Sequence, residues 1–278
     1  MTLQIAPAGR RESWYWTVRH AQGILRRPRE VRALWRTVSE RRSLARRGFS
    51  TRPRPRVLAY HSVDQPEMFV NNISTRRLRG QLQHALERGY RFGTLDEILA
   101  ARPDEPMLAV SFDDGFRSVL RAAPILDELG VPWTMFVTTS WASGHHHRPD
   151  IFLTWGELAE LVKRGVQLGC HSATHPDFGS LDAEAAAADL RASRDAFEEH
   201  LGFVPRDLAI PFGNASNWTS QAQEAAQELG FERVWAQCES LRPSGTLGRS
   251  FVCGFDRLQE FDAMLGGAFD EWEEPAPV

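Results

Sequence analysis

The sequence predicts an α/β protein built on parallel strands, layered as a sheet or rolled into a barrel. From residue 57 onward short apolar runs alternate with helical stretches, the pattern of βαβ units joined by right-handed crossovers. One run, Met107–Phe112, is apolar almost throughout, as a strand covered on both faces must be. At 278 residues the chain can bury a large core, in one domain or two.

Val57–Tyr60 reads as the first strand, and Thr75–Arg88 as a helix with Leu78, Leu82, Ala85 and Leu86 on one face. After the strand Met107–Phe112 a helix is expected near Phe116–Leu129, then a strand at Trp133–Val137. Thr154, with Glu157 three residues on, forms a capping box for a helix running to about Arg164. Val166–Cys170 is the next strand. The Ala- and Glu-rich Asp182–Leu201 is helical, followed by strand Asp207–Ile210, helix Thr219–Leu229 and strand Arg233–Ala236. There is no internal repeat, and the acidic, proline-containing tail after Trp272 is expected to fray.

Composition is that of a soluble globular protein, and no run approaches the ~18 apolar residues of a membrane span. Three cysteines, an odd and scattered set, exclude a disulfide framework. Cys170, beside His171, reads either as a buried strand cysteine or as a soft metal ligand. The amino terminus has no continuous apolar stretch of the kind a secretory signal needs, so the expected compartment is the cytoplasm.

The net charge of −3 hides an asymmetry. Residues 1–56 carry 15 Arg and 3 Glu, a net of +12, while the remainder carries −15. The chain is therefore expected to divide into a basic helical arm and linker (1–56), a body (57–272) and a tail (273–278). Helices at 11–26 and 29–47, split by Pro28, set Trp14, Val18 and Leu25, then Val31, Leu34, Trp35 and Val38, among arginines. Such an arm lies on an anionic membrane surface, binds an acidic polymer, or packs its apolar stripe on the body. The first is favoured for residues 1–50, peripheral to the inner membrane surface, with turnover expected to survive their deletion. A nucleic-acid partner is not expected, because the body is acidic.

The chemistry gathers where predicted strands end, as it does in parallel α/β architectures. Asp113 and Asp114 follow Met107–Phe112, and Gly115 frees the backbone there. Two bare carboxylates are costly to bury, so they either hold a cation or cap the following helix. His171 and His175 follow another strand and converge if the segment makes one turn, which suits zinc. Asp114 with the two histidines would leave positions open for water and substrate. Asp113 would then be free to act as a base.

Residues Val57 to Phe255 resemble the polysaccharide deacetylase family, also called the NodB-homology or carbohydrate esterase family 4 domain. Ser111-Phe112-Asp113-Asp114-Gly115 matches its first motif with Ser in place of Thr. His171-Ser172-Ala173-Thr174-His175 matches the second, and Leu208–Gly213 the third. The resemblance implies a distorted (β/α) barrel that hydrolyses an N-acetyl, sometimes O-acetyl, group on a sugar. It makes Asp113 the base, and Asp114, His171 and His175 the ligands of a divalent metal, zinc first, with cobalt or nickel as alternatives. The backbone N–H of Phe212, flanked by Pro211 and Gly213, would help hold the oxyanion.

Two departures matter. Ala209 stands where many members carry an arginine that tunes the catalytic Asp, and no histidine follows His200 to serve as the usual late acid. Tyr60-His61-Ser62-Val63 is similar to the early Tyr-His-x-Val segment of the exopolysaccharide and biofilm-glycan deacetylases. That similarity implies that His61 protonates the leaving amine or stabilises the tetrahedral intermediate, with Tyr60 beside it in the substrate-binding group. The substrate class is an acetylated polysaccharide or lipid-linked saccharide. The alternative, prompted by both departures, is a catalytically silent glycan-binding module. Trp141, Trp155 and Trp218 could stack on sugar rings or pack, and His145-His146-His147 reads as a solvated loop or an adventitious metal site.

Overall fold

The structure, a computed structural model, describes residues 28–50 and 53–272. The helix expected at 11–26 and the tail at 273–278 lie outside the described residues. Ten strands are present among those described: β1 (Arg56–Tyr60), β2 (Ser62–Val63), β3 (Asn72–Ile73), β4 (Arg91–Phe92), β5 (Met107–Phe112), β6 (Trp133–Val137), β7 (Gln167–Cys170), β8 (Asp207–Ala209), β9 (Arg233–Trp235) and β10 (Ser250–Phe251). Eight make one parallel sheet in the order β10-β1-β5-β6-β7-β8-β9, with β4 paired to the start of β5. A bridge between Trp235 and Leu247 brings the lead-in to β10 back against β9, so the sheet curls toward closure. This is the distorted (β/α) barrel that the sequence predicts.

Period-two alternation sorts the strand side chains. Val57, Ala109, Phe136, Ala209 and Trp235 make a small cluster of their own. Their neighbours Leu58, Val110, Val137, Leu208 and Val234 belong to the main core. The helices that complete that core are α1 (Pro28–Arg46), α2 (Thr75–Glu87), α3 (Leu95–Ala100), α4 (Ala123–Leu129), α5 (Thr139–Ala142), α6 (Trp155–Lys163), α7 (Ala183–Leu201), α8 (Ser220–Glu228) and α9 (Leu258–Leu265). Capping chemistry fixes several starts. Thr154 and Glu157 form the expected capping box, and Asp182 and Thr219 cap α7 and α8 through the N–H groups of Ala185 and Ala222.

Three expectations change. The single helix foreseen over 116–129 is a 3-10 turn, Arg117–Arg121, followed by α4. Pro124 sits in the first turn of α4, where its missing N–H costs nothing, and it could not sit inside one continuous helix. The arm and body do not separate at residue 56. Helix α1 buries Thr37, Val38, Arg41 and Ala45 and packs against α9. Arg56, meant to end the linker, begins β1 and is itself buried, donating to the Leu265 carbonyl and to Asp270. The described part of the arm thus takes the packed alternative, leaving Arg32, Trp35, Arg36, Arg46 and Arg47 exposed. No helix among the described residues is long and apolar enough to cross a membrane.

Candidate active site

Strand ends deliver every principal group. His61 follows β1, Asp113 and Asp114 follow β5, His171 follows β7, and Phe212 lies just beyond β8. Four residues at these turns, Asp114 (φ 70°), Ser172 (φ 66°), His175 (φ 58°) and Phe212 (φ 63°), take left-handed backbone. That conformation costs a non-glycine residue roughly 1–3 kcal/mol, and such strain concentrates at functional sites.

The metal-type cluster assembles as predicted. Oδ1 of Asp114 lies 3.4 Å from Nε2 of both His171 and His175, and the three donor atoms lie within 4.8 Å of one another. The turn carrying them is held from several sides. Ser172 Oγ accepts the His175 N–H, Asp189 accepts the amides of Ala173 and Thr174, and the Ser172 and Ala173 carbonyls accept the first amides of α5. The His171 ring is oriented by its Nδ1, 2.9 Å from the Ala209 carbonyl, which leaves Nε2 for the site. His175 is clamped between the Trp141 ring, stacked at 5.3 Å, and the Phe212 ring at 4.6 Å.

The donor set fits a divalent ion. Asp114 Oδ1 is buried and has no hydrogen-bond partner among the described residues, a position that is costly unless a cation fills it. Two imidazoles and one carboxylate form the mixed N/O set of a catalytic zinc-type site. Burial works to raise the Asp114 carboxyl, but the adjacent His171 and His175 imidazoles outweigh it and hold it well below the usual carboxylate range. Burial pushes His175 down to about 4, so this imidazole is neutral at physiological pH. Cys170 takes no part: it is buried, with its thiol 3.0 Å from Ser193 Oγ.

Asp113 is placed differently from its neighbour. Its carboxylate is 1% exposed and meets Arg249 in a two-point pair, Nη1 to Oδ1 at 2.6 Å and Nη2 to Oδ2 at 2.9 Å. Arg249 is wholly buried. Its guanidinium lies 4.9 Å from the centre of the Phe136 ring and also donates to Ser111 and the Ala236 carbonyl. Burial would raise the Asp113 carboxyl, and the Arg249 charge holds it below the ordinary range instead. The sequence reading missed Arg249. The missing arginine at Ala209 left the tuning charge either absent or supplied from elsewhere, and the pairing of β10 with β1 shows where it comes from.

His61 is buried, with its Nδ1 unpartnered among the described residues and its ring edge-on to Phe251 at 5.8 Å. Burial lowers its pKa, against the opposing pull of Asp113 and Asp114. Phe212 offers an amide that donates to no described residue, while Gly213 (φ 75°) packs so closely that an added Cβ would lie 2.1 Å from Cβ of Gln237. Pro211 is buried beside them.

Tyr60 does not join the site. Its ring is 1% exposed, and its hydroxyl donates to Gln81 on α2, because alternation turns it toward the helices. Trp155 stacks on His200, and Trp218 packs edge-on to Phe178, so neither is a platform for sugar. His146 lies against Trp141 and Phe152.

Residues 100–234 match the family described as polysaccharide deacetylase. YxkH of Bacillus subtilis (strain 168) is 20% identical over 224 residues, covering 78% of this chain and 75% of its own. Among solved structures, the Streptococcus pyogenes deacetylase PplD in complex with acetate is 20% identical, with a TM-score of 0.64 over 76% of this chain and 99% of that one. IcaB from Ammonifex degensii is 25% identical, with a TM-score of 0.62 over 77% and 98%. Residues 100–234, as the motifs at Asp113–Asp114 and His171–His175 imply, belong to the polysaccharide deacetylase family.

Proposed function

We propose that this protein is a metal-dependent hydrolase that removes N-acetyl groups from a polysaccharide or lipid-linked saccharide in exopolysaccharide or cell-envelope metabolism. Family membership supports the coarser reading, a hydrolase acting on glycan acetyl groups. The single observation carrying the finer one is the juxtaposition of an unpartnered Asp114 oxygen with two imidazole nitrogens, beside a separately held Asp113.

Asp114, His171 and His175 would hold the ion, zinc by donor type, or cobalt or nickel. Once bound, the ion would polarise the acetyl carbonyl and make a water easier to deprotonate. Asp113, kept ionised by Arg249, retains lone pairs outside its two hydrogen bonds and takes the proton of the attacking water. The Phe212 N–H donates to the oxyanion, a contribution of about 3 kcal/mol where such donors have been removed from other enzymes. His61 gives a proton to the departing amine and is reprotonated at the expense of the one Asp113 has taken from the water, since burial favours its neutral form. Arg249 supplies the positive charge whose absence at Ala209 would have favoured a silent binding module.

Asp113→Asn is expected to abolish acetate release from N-acetylated saccharides while zinc still binds, and His171→Ala to lose the zinc. Acetate assay and metal analysis read both. Turnover retained in Asp113→Asn would overturn the assignment of the base.

For the N-terminal helix we propose contact with an anionic membrane surface, from the cytoplasmic side. Trp35 is 63% exposed, with Arg32 and Arg36 exposed beside it, while Val38 and Arg41 on the same helix are buried. The triple variant Arg32→Gln/Trp35→Ser/Arg36→Gln should bind anionic vesicles at least tenfold more weakly and turn over soluble substrate unchanged. Undiminished vesicle binding would refute it.

A further inference from the structure

Strand β10 has two residues and, among the described residues, pairs with one strand only, β1. So short an edge strand has little to keep it in place. Yet the site depends on it twice. Arg249, immediately before it, grips Asp113, and the ring of Phe251 meets His61.

Arg41, on α1, holds the same strand from outside. Its Nη2 donates to the Phe251 carbonyl at 3.1 Å, and its Nε and Nη2 bind the two oxygens of Asp256 at 2.9 and 2.5 Å. Asp256 in turn accepts the Cys253 N–H at 3.1 Å. The Arg41 guanidinium is 1% exposed and lies 4.1 Å from the Phe269 ring centre and 4.9 Å from that of Trp272. One side chain thus fixes the backbone on both sides of Val252, whose own N–H reaches back to the Ala59 carbonyl on β1. An apolar side chain would pack equally well among these rings, and a buried ion pair gives no assured gain in stability over one. What it could not do is bind the strand carbonyl and the Asp256 carboxylate together.

We propose that Arg41 is a positioning residue, which sets β10 so that Arg249 meets Asp113 and Phe251 meets His61. The proposal rests on the deacetylase reading, and it brings α1 into the working part of the molecule although α1 lies outside the segment that matches the family.

The test is the double variant Arg41→Met/Asp256→Asn, which removes both buried charges and keeps an acceptor for the Cys253 amide. It is expected to fold with a denaturation midpoint near that of the wild type and to bind zinc with unchanged affinity. Its Phe251 and Val252 amides should exchange with deuterium at least tenfold faster. Acetate release should lose at least tenfold in kcat, with KM within twofold. Arg41→Lys, which keeps the charge and loses the fork, should fall between. Wild-type kcat in the double variant would overturn the proposal, as would a kcat loss matched by an equal loss of zinc affinity. Exchange is read without substrate. Absence of acetate release from the wild type would therefore defeat the deacetylase reading, while wild-type exchange in the double variant would separately defeat this one.

Discussion

At the scale of residues, the site works by giving two adjacent carboxylates opposite partners. Asp114 faces imidazoles, and Asp113 faces a guanidinium. Removing Arg249 leaves the second carboxylate buried and uncompensated. Arg249→Met should therefore cost about 3–5 kcal/mol, as well as turnover. Adding Asp113→Asn should restore most of the stability and none of the activity, which urea denaturation and acetate assay would read. The histidines carry a pH signature of their own. His175 is held near 4 in the folded chain by burial, whereas in the unfolded chain it titrates near 6.5. Between those values only the unfolded state takes up the proton, so this residue makes the metal-free protein less stable as pH falls through that window. The loss is about 3 kcal/mol. His171, shifted the other way by Asp114 once burial is overcome, opposes part of it. The clean measurement is therefore the difference between chelator-treated wild type and His175→Gln, at pH 7 and near 4.5, and a flat difference would contradict it. The histidine pair was legible in the sequence because its spacing is local, one turn after one strand. Arg249 was not, since its partner lies 136 residues away.

At the scale of elements, periodicity located the strands from β5 to β9 to within a residue or two, and a capping box marked the start of α6. What escaped was short or held by distant partners. Helices α3 and α5 have six and four residues, and β10 has two, below the length at which a two-residue period can be read. Helix α1 was legible as a helix, with packing on the body only one of three alternatives, because charge dominates its composition and its buried face is completed by Arg41. Deletion of residues 1–50 should consequently do more than release a membrane contact. It strips the α9 face that α1 covers and leaves Asp256 buried without its cation. The truncated protein should melt at least several degrees lower and lose turnover, contrary to the independence that its composition suggests. Scanning calorimetry and the acetate assay would check both.

At the scale of the whole molecule, the parallel sheet joins segments from opposite ends of the described chain. Strand β1 pairs with β5 on one side and with β10 on the other, so Leu58 meets Ser250 across most of the chain. Such distant pairing is slow to form. During synthesis, the turns bearing Asp114, His171 and His175 are complete long before residue 249 is added. Until then Asp113 has no counter-charge and His61 no Phe251 beside it. On the proposed mechanism, competence is therefore conferred last, by the segment from residue 249 onward, and a nascent chain would bring Asp114, His171 and His175 together and still remain inert.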